Sequence, residues 1–352
     1  MKPKVSIIMP VYNTGDYLLT SMDSVIHQTL KDIEIICVND GSTDSSLEVL
    51  QRYAQNDPRI KIIDKKNGGY GHTMNRGIKH ATGEYIGILE PDDFVDPEMF
   101  DKLYALAQQH SADIVKSNYY EHFSQNNKAV DRFFEVLSEF PYDTITNAFE
   151  NEKIVVMRPC IWSAIYKREF LINSHIVFNE TPGASYQDTA FAFKALISAK
   201  RIVFTKDAFL HYRMDNENSS VNSTGKIFSI CDEFHGIENF LNENKDLKDR
   251  FSPILQLIKY DSYIWNLDRM TSEYRHIFEN QMALEYLKAE YENVLDKSRF
   301  DDWRWNNLQS IMNKYRNSTF NPEELLAHSI SYKIGRTITY VPRKLRAFMR
   351  HH

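Results

Sequence analysis

The chain has 352 residues, of which 42% are hydrophobic and 26% are charged, and its formal net charge is −6. This composition is typical of a globular protein rather than a disordered one, and the length favours two domains over one. No segment approaches about 18 consecutive apolar residues, so no transmembrane helix is predicted, and three widely spaced cysteines indicate neither a disulfide framework nor a cysteine zinc site.

Apolar runs and amphipathic stretches alternate along the first third of the chain. The predicted strands are Val5–Met9, which we expect Pro10 to end, and Ile33–Val38, Ile60–Ile63, Glu84–Leu89 and Ile114–Ser117. The predicted helices occupy 15–30, a segment after Asp44, 70–81 and a segment after Asp96-Pro97. This alternation predicts a mostly parallel sheet covered by helices, with ligands bound beyond the carboxyl ends of its strands.

The pattern changes after residue 225, where Gly and Pro become rare and helix-like periodicity with many aromatic residues dominates. We therefore predict a boundary near 223–225. Residues 1–224 would form the α/β domain and 225–330 a helical domain. The helical domain is also the surface through which we expect a homo-oligomer to form.

Three carboxylates lie within four residues at the end of the fourth predicted strand, in Glu90-Pro91-Asp92-Asp93. In an extended segment residues 90 and 92 point the same way, so their charges repel unless a cation joins them. Oxygen ligands suit Mg²⁺ or Mn²⁺, which bridge to substrate phosphates. The alternative is a solvated loop in which an aspartate caps the following helix.

Three further polar residues each have a chemical and a structural interpretation. Asp40 follows a buried strand, so it could accept hydrogen bonds from a base or ribose, or form an Asx-turn or cap. Asp188 is predicted in the first turn of a helix, where it could be an ionised general base or a simple cap. Arg213 follows the predicted strand Ile202–Thr205 and could bind a diphosphate or form a surface ion pair.

Five segments, taken in chain order, resemble the motifs of the family 2 glycosyltransferases. They are VSIIMPVYN (5–13), VNDGSTD (38–44), KNGGYGHTMNRGI (66–78), ILEPDDF (88–94) and YQDTAFAFK (186–194). The resemblance covers about residues 4–220. It implies a GT-A type fold, with a mostly parallel, Rossmann-like sheet flanked by helices and followed by the C-terminal helical domain. It also implies an inverting, metal-dependent enzyme that uses a nucleotide sugar, typically UDP-linked.

The resemblance implies roles for individual residues. Asp188 would be the catalytic base, and Glu90 and Asp92 would hold the divalent metal, Mn²⁺ or Mg²⁺. The donor-binding positions would be Pro10, Val11, Tyr12, Asn13, Asp40, Asn67, Gly68, Asn75, Arg76, Asp92 and Arg213. The acceptor-binding positions would be Trp162, Tyr186 and His211, with core packing as the alternative role of Trp162.

Three positions depart from the pattern of the family. Glu90 replaces the first Asp of its DxD motif, which makes metal binding through Asp92 the firmer expectation. Gln187 replaces the usual Glu before the base, and Met74 stands where many members have Arg. Arg76 or His72 is then expected to take over a phosphate contact, unless that contact is absent. These departures indicate either a different donor or lost activity.

The basic side chains are concentrated at the end of the chain. Residues 331–352 contain six basic residues and no acid, whereas the other 330 residues carry 36 basic and 48 acidic side chains, a net charge of −12. The acidic body argues against a nucleic-acid partner. In the tail, apolar residues recur at spacings of three and four between the basic ones, a pattern typical of helices bound to a membrane surface. The alternative is a tail that packs on the acidic body.

These features together predict a cytoplasmic glycosyltransferase, of the EC 2.4 type, held at the inner face of the membrane through 331–350. It would extend a glycan or lipid-linked acceptor in the synthesis of capsule, lipopolysaccharide or another surface polysaccharide. An alternative is an inactive glycan-binding or membrane-surface subunit. A nucleotidyltransferase is a further alternative, but the loop Pro10–Gly15 lacks the basic, Gly-rich character of that class. Neither GxGxxG nor GxxxxGK[ST] is present, which argues against a dinucleotide site and a P-loop.

Overall fold

The structure, a computed structural model, describes residues 2–15, 17–125, 128–138, 140–216 and 228–319. Its strands are β1 (Val5–Val11), β2 (Ile33–Asn39), β3 (Ile60–Asp64), β4 (Tyr85–Ile88), β5 (Phe94–Val95), β6 (Ile114–Gln125), β7 (Lys128–Phe134), β8 (Ile145–Thr146), β9 (Ala164–Lys167) and β10 (Ile202–Arg213). Its α-helices are α1 (Tyr17–Ile26), α2 (Ser46–Asn56), α3 (Tyr70–His80), α4 (Met99–His110), α5 (Arg168–Asn173), α6 (Gln187–Ser198), α7 (Ser229–Asn242), α8 (Lys245–Asp268), α9 (Ser272–Tyr291) and α10 (Asp302–Thr319). The chain divides into two compact units between Phe251 and Ser252.

The strands of the first unit form one sheet in the order β3-β2-β1-β4-β9-β6-β10-β5, with β7 paired to β6 and β8 paired to β10. The pairs β1/β2, β1/β4 and β2/β3 are parallel. β1 and β2 are buried at every position, which explains their uninterrupted apolar runs. The predicted α/β class is therefore confirmed, and all five strands predicted in the first third of the chain are present.

The pair β6/β10 is parallel as well, in keeping with the predicted mostly parallel sheet, but the sheet also contains antiparallel strands that the sequence analysis did not predict. β9 lies between β4 and β6 and is antiparallel to both. The short strands β5 and β8 and the hairpin strand β7 also pair antiparallel. β9 has four residues and follows β6 only after a long excursion, so the local alternation of strands and helices could not reveal its insertion.

Pro10 does not end β1, contrary to the sequence prediction, because the strand continues to Val11. Alternate residues of a strand face the same neighbour, and Ile8 accepts a hydrogen bond from Leu89 on the β4 side. β4 pairs with β1 only as far as Ile8, so Pro10 faces that side beyond the last ladder partner. Its missing N–H therefore costs the sheet no hydrogen bond.

The described part of the second unit is helical, as predicted, and contains the end of α8 together with α9 and α10. Its core holds a buried ion pair in which Lys259 Nζ lies 2.6 Å from Glu285 Oε2. Tyr263 donates a hydrogen bond to the same carboxylate oxygen at 2.6 Å, so the buried charges are satisfied.

Two predictions fall outside the described residues and stay predictions. They are the domain boundary near 223–225 and the basic tail, 331–352. Among the helices that the structure describes, none combines the length and the apolar character that a membrane span needs.

Candidate active site at the carboxyl ends of the strands

The loops after β1 and β2 are joined by hydrogen bonds, because parallel neighbours end at the same edge of the sheet. Asn13 Oδ1 accepts a hydrogen bond from the Thr43 amide at 2.7 Å, and the Asn13 amide donates to Ser42 Oγ at 3.1 Å. Pro10 and Val11 are buried, whereas Tyr12 is 50% exposed. Of these four predicted donor residues, Pro10 and Val11 therefore end β1 with buried side chains, whereas Tyr12 and Asn13 lie in the loop with exposed ones.

Asp40 is buried at the end of β2 and binds the loop that leads into α3. Its carboxylate accepts hydrogen bonds from the amides of Gly68 and Gly69, at 2.7 and 3.0 Å, and forms an ion pair with Lys65. A carboxylate has roughly four acceptor positions, so about one remains for a ligand. The predicted residues Asp40 and Gly68 thus come together with Asn67, which is exposed on the same loop.

The side of α3 that carries Asn75 packs against the segment that leads to Asp188. Asn75 Nδ2 donates to the Phe178 carbonyl at 3.0 Å, and Asn75 Oδ1 accepts from the Phe178 amide at 2.9 Å. The close approach is also visible at Gly71, where a Cβ would lie 1.9 Å from the Asn179 carbonyl oxygen. Asn75 therefore positions the backbone before Asp188, a role that its place in the sequence did not indicate.

His72, Met74 and Arg76, the residues around the departure from the family pattern, differ in how α3 buries them. Met74 is fully buried in the core. Arg76 is exposed. Nδ1 of His72 is buried without a hydrogen bond, and the ring lies beside Gly68 in the predicted donor loop. The ring of His72 therefore adjoins the predicted donor loop, and a phosphate contact by either residue stays a prediction.

The acidic turn between β4 and β5 brings together carboxyl groups that are harder to ionise than usual. Burial raises the pKa of Glu90 to about 8, and the charges of Asp92 and Asp188 act in the same direction. Glu90 Oε1 accepts a hydrogen bond from the hydroxyl of Tyr70 at 2.5 Å. Burial also raises the pKa of Asp93 well above its ordinary value, and its Oδ2 is buried without a hydrogen bond.

These observations fit the predicted divalent cation. The oxygens of Glu90 and Asp92 are hard donors that suit Mg²⁺ or Mn²⁺. The unsatisfied oxygen of Asp93 and the mutual repulsion of the three carboxylates are both features that a nearby positive charge relieves.

Arg213 holds the acidic turn against the end of β10. Its Nε donates to the Asp92 carbonyl at 2.9 Å, and its amide donates to Asp93 Oδ1 at 2.8 Å. The guanidinium lies 4.8 Å from the centre of the Tyr17 ring, in a cation–π contact. The residue predicted to stabilise a diphosphate therefore sits beside the predicted metal ligands.

Asp188 lies in the first turn of α6, as the sequence predicts. Burial raises its pKa to about 6, although hydrogen bonds from the start of the helix and the charge of Arg158 act against that rise. Gln187, which replaces the usual Glu, is buried, and both the oxygen and the nitrogen of its side-chain amide form hydrogen bonds. Its Oε1 accepts from the Ser185 amide at 2.6 Å, and its Nε2 donates to Thr181 Oγ1 at 2.8 Å. The neutral amide thus fixes the loop that precedes Asp188.

The predicted acceptor residues do not all lie on one face of the sheet. Trp162 is 7% exposed, and its ring stacks on Tyr212, with ring centres 5.0 Å apart. Successive residues of a strand point to opposite faces, so His211 contacts Tyr120 and Phe94 on the other face. Tyr186 occupies the left-handed backbone region, at φ +64°, immediately before α6. The structure thus separates His211 from Trp162.

Two residues of this region were not found from the sequence. The hydroxyl of Tyr70 donates a hydrogen bond to Glu90. Arg158 donates a hydrogen bond to the Tyr119 hydroxyl at 2.8 Å, and its positive charge lowers the pKa of Asp188. The partners of both residues are remote along the chain, so no local pattern signals these contacts.

Comparisons with known proteins bear on the family and the fold of the chain. Residues 6–173 match the family described as Glycosyl transferase family 2. The chain is 35% identical over 219 residues to the glycosyltransferase EpsJ of Bacillus subtilis (strain 168), an alignment that covers 62% of this chain and 63% of EpsJ, slightly less than two thirds of that protein. It is 30% identical over 282 residues to the glycosyltransferase EpsH of the same organism, covering 79% of this chain and 80% of EpsH.

The fold also has a counterpart among solved structures. The crystal structure of S. aureus TarS 1-349 in complex with UDP-GlcNAc superposes with a TM-score of 0.56 and 20% sequence identity, covering 90% of this chain and 93% of that one. At this level of identity the likeness concerns the fold alone, and it confirms the predicted GT-A type.

Proposed function

Because the chain belongs to the family 2 glycosyltransferases, we propose that it transfers a sugar from a nucleotide-diphosphate sugar to a hydroxyl of a glycan or lipid-linked acceptor, with inversion at the anomeric carbon. The observation that supports this proposal most is that Tyr70 links the acidic turn to the segment before Asp188: its hydroxyl donates to Glu90 at 2.5 Å, and its amide donates to the Gly183 carbonyl at 2.9 Å. The proposed base, in the first turn of α6, and the acidic turn proposed to face the leaving group would therefore share one site. Membership of the family also makes the nucleotidyltransferase alternative unnecessary.

In the proposed reaction, Asp188 accepts the proton of the acceptor hydroxyl as the oxygen attacks the anomeric carbon. The bond from that carbon to the diphosphate oxygen breaks on the opposite face, and the leaving nucleoside diphosphate takes the bonding pair. No covalent bond to the enzyme forms. Asp188 is suited to this task because its pKa of about 6 leaves it ionised near neutral pH, yet more basic than an ordinary aspartate.

In the proposed donor site, one set of residues would bind the nucleoside and another set would bind the charged diphosphate. Tyr12, Asn13 and the remaining acceptor position of Asp40 would bind the nucleoside, which is supported by the exposure of Tyr12 and by the hydrogen bonds that hold Asn13 and Asp40. Glu90 and Asp92 would hold Mn²⁺ or Mg²⁺, which when bound would offset the charge of the diphosphate. Arg213 would add a positive charge from β10. UDP is the first nucleotide to test because TarS, which shares the fold, binds UDP-GlcNAc.

The acceptor would belong to surface polysaccharide synthesis, which is the expectation drawn from the sequence resemblance. Trp162, Tyr212 and Arg158 form an aromatic wall, in which the Trp162 ring stacks on Tyr212 and the Arg158 guanidinium lies 5.6 Å from the centre of the Tyr212 ring. Aromatic rings present apolar faces suited to the apolar faces of sugars. In this structure the Trp162 ring is covered by Tyr212, so the two rings together would form the wall rather than Trp162 alone.

A panel of nucleotide sugars tests this proposal by thermal unfolding, with and without Mn²⁺. We expect at least one donor to raise the unfolding temperature, with a larger shift when Mn²⁺ is present. Asp92→Asn should remove the part of the shift that depends on Mn²⁺ and leave the unliganded protein folded. Absence of any shift across the panel would overturn the donor assignment. A donor that binds without any transfer would instead favour the inactive binding subunit.

A further inference from the structure

Three side chains that commonly bind metals meet on the face of the sheet opposite Trp162. His122 lies on β6, Asp131 on β7 and His211 on β10, and one potential ligand atom of each lies within 4.8 Å of the other two. Nδ1 of His122 is 2.7 Å from Oδ1 of Asp131, and Nδ1 of His211 is 3.1 Å from the same oxygen. Two ring nitrogens therefore converge on one carboxylate oxygen.

The positions of these groups are determined by the sheet. His122 and Asp131 are cross-strand partners in the β6/β7 hairpin, and β10 pairs parallel with β6 on its other side. The ring of His211 is stacked between Phe94 and Tyr120, with ring centres 4.4 and 5.0 Å away. Because the strands and the stacked rings hold the histidine ring nitrogens in place, these side chains would lose little conformational freedom when an ion binds.

The outer ring nitrogens have the partners that metal-bound histidines need. Nε2 of His211 lies 3.3 Å from Oδ1 of Asp96, and Nε2 of His122 lies 3.4 Å from Oγ of Ser124. A metal-bound histidine typically donates its other N–H to a carboxylate or another oxygen, which sets its tautomer. Both rings can therefore present an unprotonated Nδ1 toward Asp131.

The burial of the His211 ring is a second, independent observation that favours a bound metal ion. The side chain is nine-tenths buried, at 10% exposure, and its Nδ1 has no hydrogen bond. The nearest acidic oxygen, Oδ1 of Asp131, lies 3.1 Å away, within ion-pair distance. A buried, unsatisfied ring nitrogen is costly, and coordination to a metal would satisfy it.

We propose that His122, Asp131 and His211 form a binding site for a transition-metal ion, of which Zn²⁺ is the best match. Two imidazole nitrogens and one carboxylate oxygen suit Zn²⁺, whereas Mg²⁺ and Mn²⁺ favour oxygen ligands. Asp131 is exposed, which leaves an entry path and room for a water molecule as fourth ligand. The site uses none of the carboxylates assigned to the donor cation, so it is independent of the proposed glycosyl transfer.

The ion would join β7 to the end of β10. His211 lies two residues before Arg213, which bonds the acidic turn. Occupancy would therefore stabilise the strand end that supports the turn, and the thermal stability of the protein should increase with Zn²⁺ concentration.

Calorimetric titration of the chelator-treated full chain with Zn²⁺, together with thermal unfolding, tests this site. We expect one ion to bind per chain, and the unfolding temperature to rise as Zn²⁺ is added. Excess Mn²⁺ should not compete. Co²⁺ used in place of Zn²⁺ should give the visible absorption of a site with nitrogen and oxygen ligands. A wild-type protein that binds no Zn²⁺, or binds it without thermal stabilisation, would overturn the proposal.

Matched variants separate this site from adventitious binding, since the chain contains 12 histidines. Asp131→Asn, at an exposed position, and His211→Gln should each abolish the bound ion and the thermal shift. His80→Gln, at an exposed histidine of α3, and Asp92→Asn in the acidic turn should retain both. Zn²⁺ binding that survives Asp131→Asn, or that is lost in Asp92→Asn, would contradict the assignment. Circular dichroism of each variant shows that its fold is retained.

Discussion

Protonation of Asp188 should determine how the transfer rate falls at acid pH. Burial raises the pKa of this carboxyl to about 6, so the fraction able to accept a proton decreases as the pH falls through that value. About nine-tenths of the carboxyl is ionised at about pH 7 and about one-tenth at about pH 5, so kcat should fall about tenfold between them. An ordinary aspartate would change by less than about twofold over the same interval.

The charge of Arg158 gives this prediction a second test, because it lowers the pKa of Asp188 and so opposes the effect of burial. Arg158→Met removes the charge and keeps much of the side-chain volume, so the midpoint of the pH profile should move to higher pH. Arg52→Met, at an exposed position of α2, is the control and should leave the midpoint unchanged. The other titratable groups whose charges couple to Asp188 are Tyr70, Glu90, Cys160, Tyr212 and Glu233.

The assay is the initial rate of nucleoside diphosphate release at saturating donor and acceptor, measured from about pH 5 to about pH 8. Asp188→Asn should lower kcat by about 10²- to 10⁴-fold, the usual contribution of a general base, while donor binding is retained. A flat pH profile in the wild type would refute the argument from burial. A wild-type rate in Asp188→Asn would refute the assignment of the base itself.

Two other predictions concern the packing before Asp188 and the basic tail. Gly71→Ala should lower both the unfolding temperature and kcat, because the new Cβ would lie 1.9 Å from the Asn179 carbonyl oxygen and overpacking of this kind costs about 1–3 kcal/mol. Lys79→Ala, at an exposed position of the same helix, is the control. Equal stability of Gly71→Ala and the wild type would contradict the close approach. Deletion of 331–352 removes six basic residues, each of which contributes about 1 kcal/mol to binding at an anionic membrane surface. The shortened protein should therefore no longer float with anionic vesicles. Unchanged flotation would exclude the tail as the membrane contact.

The sequence by itself was sufficient for elements whose signal is local. The buried runs of β1 and β2 and the placement of Asp188 in the first turn of α6 follow from the spacing of apolar residues along a few turns or one strand. The acidic turn was predictable for the same reason, since its three carboxylates are neighbours in the chain. Family motifs added the proposed roles of these residues only because the motifs occur in the expected order.

The tertiary structure decided every feature that depends on partners remote in sequence. The insertion of β9, the contact of Tyr70 with Glu90 and the convergence of His122, Asp131 and His211 all join segments separated by many residues. It also placed His211 on the face opposite Trp162, because successive residues of β10 point in opposite directions once that strand is paired. Local periodicity can predict that a strand or helix forms, but strand pairing and side-chain burial determine which charges meet, and these charges set the chemistry of Asp188 and its neighbours.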